Sequence, residues 1–297
     1  MPRSTPPSLD VESFAEGSDG TRIYVRRRPG PAPTTAIFCD GIICDGYIYK
    51  YLWDDLVPLV NVAHWNYRGH GRSALPADAR CITVVDHARD LDAVRHHLGD
   101  PPVVLVGHSF GTQVVLEAYR LRPERVRALV LLCGSFGRVT YTWKGTDVLA
   151  GILPNLISFV EEHPRLARAI WSHLPVRLGL EVARMTGDIR LGAVRLEDVR
   201  PYFEHAVHVD FEMFLRMLHE AGEHSAEDLL PHVNVPTLVL AGERDSFTPP
   251  QVSEAMAEMM PRAEYQLIRE GTHVLPLEER ETVRAAVTAF LARLRVE

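Results

Sequence analysis

Short apolar runs rich in β-branched residues alternate along this chain with segments whose apolar residues recur at helical spacing. Residues 21–28 and 35–39 are predicted strands, 47–56 has helical character, and 60–65 reads as another strand. Residues 84–98 carry apolar positions at helical spacing, among them Val85, Leu91, Val94 and Leu98. The continuous run Pro102-Val103-Val104-Leu105-Val106 is the pattern of a strand buried on both faces. A helix over 110–121 and a buried strand over 126–132 follow. From about Gly134 to Pro231 no strand pattern is found, and Pro154, Pro164, Pro175 and Pro201 cut that stretch into helical pieces. The alternation then resumes with a strand at 237–241, a helix at 250–259, a strand at 264–268 and a final helix at 277–294. This order predicts an α/β protein with a doubly wound, mostly parallel sheet. Its core comprises 11–135 and 232–297, a helical insertion occupies 136–231, and residues 1–10 form a disordered tail.

Composition narrows the class. With 46% hydrophobic and 24% charged residues the chain is globular, and its net charge of −7 lacks the basic footprint of a nucleic-acid binder. Lys50 and Lys144 are the only lysines, so arginine supplies nearly all the positive charge. Cys39, Cys44, Cys81 and Cys133 form no zinc-like pair and are expected to be free thiols. The N-terminal residues contain no apolar core of a signal peptide, and no apolar run is long enough to span a membrane. A soluble cytoplasmic protein is the expectation.

The sharpest chemical signal is Gly107-His108-Ser109-Phe110-Gly111, placed between the buried strand and the helix it opens. In a G-x-S-x-G turn the serine occupies a strained strand-to-helix bend, and the flanking glycines remove Cβ atoms that would clash there. A serine nucleophile needs a base, and the base needs an orienting acid. Asp245 follows the strand at 237–241, with Glu243 as a rival two residues earlier, and His273 follows the strand at 264–268. Both segments end at carboxyl ends of parallel strands, where α/β sheets assemble their sites.

With these motifs, with Arg68-Gly69-His70-Gly71-Arg72-Ser73, and with the run from Val235 to Asp245, the chain resembles the α/β-hydrolase-fold serine hydrolases with a helical cap, of the esterase and lipase kind. The resemblance covers residues 11–295 and implies the triad Ser109, Asp245 and His273. It also implies an oxyanion hole from the N–H groups of Ile42 and Phe110. One departure is Asp40, which stands where the family usually has histidine; it is expected to accept backbone N–H bonds and hold the loop. Tyr47, Tyr49, Tyr51 and Trp53 either pack a helix on the sheet or line the acyl pocket. Phe211, Phe214 and Met217 are candidates for the substrate wall, with the interior of the cap as their alternative place. His205 and His208 lack a second pair spaced for zinc, so neither metal nor cofactor is expected. The implied activity is hydrolysis of a small to medium, mostly apolar carboxylic ester through an acyl-enzyme. The same triad also serves lactone, amide or carbon–carbon bond hydrolysis and acyl transfer. A relative that binds a small ligand without turning it over is the reading from another class.

Overall fold

Eight strands form one sheet in the computed structural model, which describes residues 9–173, 181, 183, 188–190 and 192–294. Residues 1–8 of the expected tail and Pro175 lie outside the described residues. The strands are β1 (Val11–Glu16), β2 (Arg22–Arg28), β3 (Thr35–Cys39), β4 (Asn61–Trp65), β5 (Val103–His108), β6 (Val126–Leu132), β7 (Thr237–Gly242) and β8 (Ala263–Ile268). Their spatial order is β1-β2-β4-β3-β5-β6-β7-β8. The β1–β2 and β2–β4 pairs are antiparallel, and all the others are parallel.

Alternate residues of the central strands supply two cores. Ile37, Leu105 and Leu129 face one layer, formed by α2 (Val84–His97), α3 (Phe110–Leu121) and α9 (Pro250–Met259). Phe38, Val104 and Val130 face the other, formed by α1 (Lys50–Leu56) and α11 (Arg280–Leu294). That two-sided burial explains why β5 and β6 read as unbroken apolar runs. The short helix α10 (Leu275–Glu278) separates from α11, where the sequence predicts one continuous helix. The sequence also gave no warning of β1. Its Val-Glu-Ser-Phe-Ala-Glu pattern belongs to an edge strand that is mostly exposed and pairs only with β2.

Between β6 and β7 the described elements are helical: α4 (Val139–Thr142), α5 (Val148–Glu162), α6 (Pro164–Ser172), α7 (Leu196–Ala206) and α8 (Phe211–Glu223), with short 3₁₀ turns. The chain leaves and returns side by side. Gly137 bridges to Ser225, Arg138 N–H donates to His224 O at 3.0 Å, and Ala226 N–H donates to Phe136 O at 2.8 Å. Polar ties also join the insertion to the sheet layers. On α1, Lys50 Nζ and the Tyr51 hydroxyl donate to the buried Asp198 of α7 at 2.5 and 2.6 Å. Lys144 Nζ lies 3.2 Å from Asp188 Oδ1, and Asp188 also accepts the Ser246 hydroxyl.

The loop after β4 is locked from inside. Arg68 is buried and grips Asp90 of α2 with two parallel bonds of 2.7 and 2.6 Å. Its third nitrogen reaches Asp19, in the β1–β2 turn, and Cys81 O. Removing one member of such a buried pair strands the other charge in a low-dielectric interior. Asp90→Ala is therefore expected to destabilise the fold by about 3–5 kcal/mol, read from urea unfolding. A loss below about 1 kcal/mol, the range of exposed pairs, would contradict this account.

Candidate active site

Strand order reverses at β3: β4 lies on one side of it and β5 on the other. Loops leaving the carboxyl ends of β3 and β5 must therefore diverge, and the crevice between them is where α/β sheets hold ligands. The turn after β5 carries Ser109, at φ 54°, ψ −120°, a sparsely populated conformation for a residue with a side chain. Its backbone is fixed by Ser109 N–H to Leu132 O and Thr112 N–H to Ser109 O, both 3.0 Å. A Cβ on Gly111 would lie 2.1 Å from Cys39 O, and one on Gly107 would lie 2.6 Å from Gly111 O. Only glycine permits so tight a bend, which confirms the sequence-level reason for the motif.

Asp245 and His273, the candidate acid and base, lie side by side. His273 Nδ1 lies 2.9 Å from Asp245 Oδ2 and 3.1 Å from Oδ1. A carboxylate only accepts, so Nδ1 carries the proton and Nε2 is left as the basic nitrogen. Burial alone would raise the Asp245 carboxyl, but the His273 imidazole and hydrogen bonds from Thr248 outweigh it and hold the group below the usual carboxylate range. The same carboxylate accepts Phe247 N–H and Thr248 N–H, each at 2.9 Å. Asp245 thus shapes its own turn and orients the base. Glu243 points elsewhere, accepting Glu270 N–H at 3.0 Å.

The loop after β3 crosses directly over the serine: a Cβ built on Gly41 would sit 3.3 Å from Ser109 Cβ. Asp40 behaves as a brace, with Oδ2 accepting Gly46 N–H at 2.9 Å and meeting His64 Nε2 at 2.7 Å. The Tyr49 and Tyr67 hydroxyls donate to Cys39 O and Asp40 O at 2.6 and 2.7 Å. Ile43 is held at φ 64°, unusual for a β-branched residue, with its N–H bonded to His70 Nε2 at 3.3 Å. Phe110 is the first residue of α3, so its N–H is among the donors a helix start leaves unpaired. Ile42 N–H lies on the loop that crosses Ser109, between the bonded turns at Gly41 and Ile43.

Two further histidines support the site and were not assigned from the sequence. His108 Nε2 donates to His273 O at 2.8 Å, tying the Ser109 turn to the loop of His273. His70 Nδ1 donates to Arg68 O at 3.1 Å while its Nε2 accepts from Ile43. Burial pushes both imidazoles down to about 4, so they are neutral at pH 7.

The cap candidates fall mainly inside the cap. The rings of Phe211 and Phe214 stack on Trp171 at 4.5 and 5.6 Å, with Leu153, Ile157 and Leu215 in the same cluster. Met217 has no exposed surface and belongs to the main core. Met217 therefore takes its alternative place, in the interior, rather than on accessible space. Tyr49 and Trp53 pack under the sheet face, Tyr51 ties α1 to Asp198, and Tyr47 meets Tyr202 of α7 at 5.4 Å. His205 lies 6.1 Å from the His70 ring, and no metal-holding group of three His, Cys, Asp or Glu occurs among the described residues.

The chain belongs to the alpha/beta hydrolase fold family, which matches residues 42–280. More particularly, it is 29% identical over 236 residues to 2-hydroxymuconate semialdehyde hydrolase of Pseudomonas putida, covering 75% of this chain and 74% of that one. It is 26% identical over 310 residues to probable oxidoreductase EphD of Mycobacterium tuberculosis; the match takes in 96% of this chain, which spans only half the length of that relative. Among solved structures, the esterase EaEST of Exiguobacterium antarcticum shares the fold at a TM-score of 0.76 with 20% identity, over 95% of this chain and 100% of that one. No helix among the described residues is long and apolar enough to cross a membrane.

Two outcomes follow from the geometry. Asp245→Asn should reduce turnover about 10⁴-fold by favouring the wrong imidazole tautomer, whereas Glu243→Gln should change it little. The reverse ranking in steady-state kinetics would mean the acid is misassigned. His70 and His108 stay unprotonated in the folded protein down to about 4, against the ordinary histidine value of 6.5. Their contribution to stability is complete above pH 6.5 and is lost as pH falls toward 4. Each contributes a slope of up to about 1.4 kcal/mol per pH unit in that window. Urea midpoints that do not move between pH 7 and 4.5, at about constant m-value, would refute this.

Proposed function

We propose that this enzyme is a serine hydrolase that cleaves a small to medium, mostly apolar carboxylic ester through an acyl-enzyme. The observation that carries the reading is the Asp245–His273 pair, 2.9 Å apart, tied through His108 to the strained Ser109 turn that lies under the loop from β3. In this reading Ser109 Oγ forms a bond to the ester carbonyl carbon as His273 Nε2 takes the hydroxyl proton. The carbonyl electron pair moves to oxygen, and Ile42 N–H and Phe110 N–H stabilise that oxyanion. Each such donor contributes roughly 3 kcal/mol in the transition state. Collapse breaks the carbon–oxygen bond to the alcohol, whose oxygen receives the proton from His273. Water then repeats the sequence on the acyl-enzyme, giving the acid and restoring Ser109. Asp245 fixes the Nδ1–H tautomer and stabilises the imidazolium throughout. The carboxylate of Asp40 is engaged with Gly46 N–H and His64, which favours its role as a brace of the loop.

In the same reading, residues 136–231 are the cap that closes over Ser109, a placement supported by the Lys50–Asp198 and Asp188–Ser246 ties. A second reading keeps the triad for another carbonyl substrate, favoured by the likeness to 2-hydroxymuconate semialdehyde hydrolase. A serine-directed fluorophosphonate followed by peptide mapping, together with p-nitrophenyl esters, lactones and an amide, tests both. Labelling at Ser109 and a roughly 10⁶-fold loss of ester turnover in Ser109→Ala are expected. Folded protein that neither reacts with the probe nor turns over any of these substrates would instead be a binding relative.

A further inference from the structure

The acid loop places an aromatic ring on the base. Phe247 lies two residues beyond Asp245, and its ring centre is 5.0 Å from that of His273, tilted by 34°. It is nonetheless 38% exposed. Its backbone is pinned, because Phe247 N–H donates to Asp245 Oδ1 at 2.9 Å. A second ring comes from the insertion: Trp143, half-buried, sits 6.4 Å from Phe247. The turn bearing Trp143 is held against the acid loop by Lys144 N–H to Ser246 O at 2.8 Å, and again through Asp188, shared by Lys144 Nζ and the Ser246 hydroxyl. Two partly exposed rings on fixed backbone thus run outward from the imidazole, Phe247 packed on His273 and Trp143 next to Phe247.

The chemistry says which half of a substrate meets them. His273 must deliver its proton to the departing alcohol oxygen, so that oxygen comes within hydrogen-bond reach of Nε2. Groups packed against the imidazole therefore adjoin the alcohol half of an ester rather than the acyl half. Offset or tilted ring stacking favours a planar apolar partner over a flexible or charged one.

We propose that Phe247 and Trp143 form the subsite for the alcohol half of the substrate, and that it takes an alcohol bearing an aromatic ring. The inference rests on the ester-hydrolase reading and adds a substrate class to it. Acetate esters test it, because they all pass through the same acetyl-enzyme and differ only in the alcohol. Phe247→Ala should lower kcat/KM for 2-phenylethyl acetate roughly tenfold and for ethyl acetate less than about twofold. Phe247→Leu should fall between, and Trp143→Ala should act in the same direction. Equal losses on the two esters would mean that Phe247 works only by positioning the imidazole. No loss on either, or a loss that follows acyl chain length among ethyl esters, would likewise overturn the subsite. Failure of the ester reading has a separate signature, no turnover of any acetate. Binding of 2-phenylethanol then decides the subsite by itself, followed by NMR titration of the wild-type protein. Binding that is no tighter than that of 1-butanol, or that survives Phe247→Ala unchanged, would overturn the proposal.

Discussion

At Gly111 the first turn of α3 runs so close to the end of β3 that a methyl group there would lie 2.1 Å from the Cys39 carbonyl oxygen. That approach is the constraint from which the site is built. It brings the helix start, with its unpaired N–H groups, beneath the loop that leaves β3. It also forces Ser109 into a backbone conformation that costs of order 1–3 kcal/mol, which the buried strands on either side must overcome. Val103–His108 and Val126–Leu132 are almost wholly buried and pair with each other. The strain therefore sits at the one point where the surrounding sheet over-determines the chain.

Around this point the protein uses polar side chains where a simpler core would be apolar. Tyr49, Tyr67, His64, His70 and His108 all direct a polar atom at the backbone, or at the Asp40 brace, of the loops that hold the chemistry. A neutral imidazole suits this task at His70, where one nitrogen donates to Arg68 O, the other accepts from Ile43 N–H, and no charge has to be desolvated. Burial also keeps the His108 ring, 4.9 Å from that of His273, uncharged, so a His273 imidazolium would not form beside a second cation there.

Much of this was legible in the chain because the strongest signals are local. A strand, a G-x-S-x-G turn and a helix are contiguous, so Ser109 needed no tertiary information. Asp245 and Glu243 lie two residues apart and differ in the sequence only by position; geometry separates them, since one carboxylate faces His273 and the other Glu270 N–H. His108 occupied the variable position of the motif, and its partner carbonyl lies 165 residues away in the chain, beyond any local pattern. The cap stripe of Phe211, Phe214 and Met217 has the same spacing whether it faces a ligand or Trp171, so periodicity could not assign its face. The edge strand β1 escaped because half its side chains face water and its pairing is supplied entirely by β2.

The scarcity of lysine has a practical side. Lys50 reaches across to Asp198 and Lys144 to Asp188, so both side-chain amines of the chain are engaged in polar ties at the insertion. Amine-coupling chemistry, whether for dye attachment, cross-linking or anchoring to an activated bead, would neutralise one of these ties each time it succeeded on a lysine. Immobilisation through arginine-directed or engineered surface thiol chemistry would leave the seam intact, and the two procedures would yield preparations of the same protein with differently held insertions.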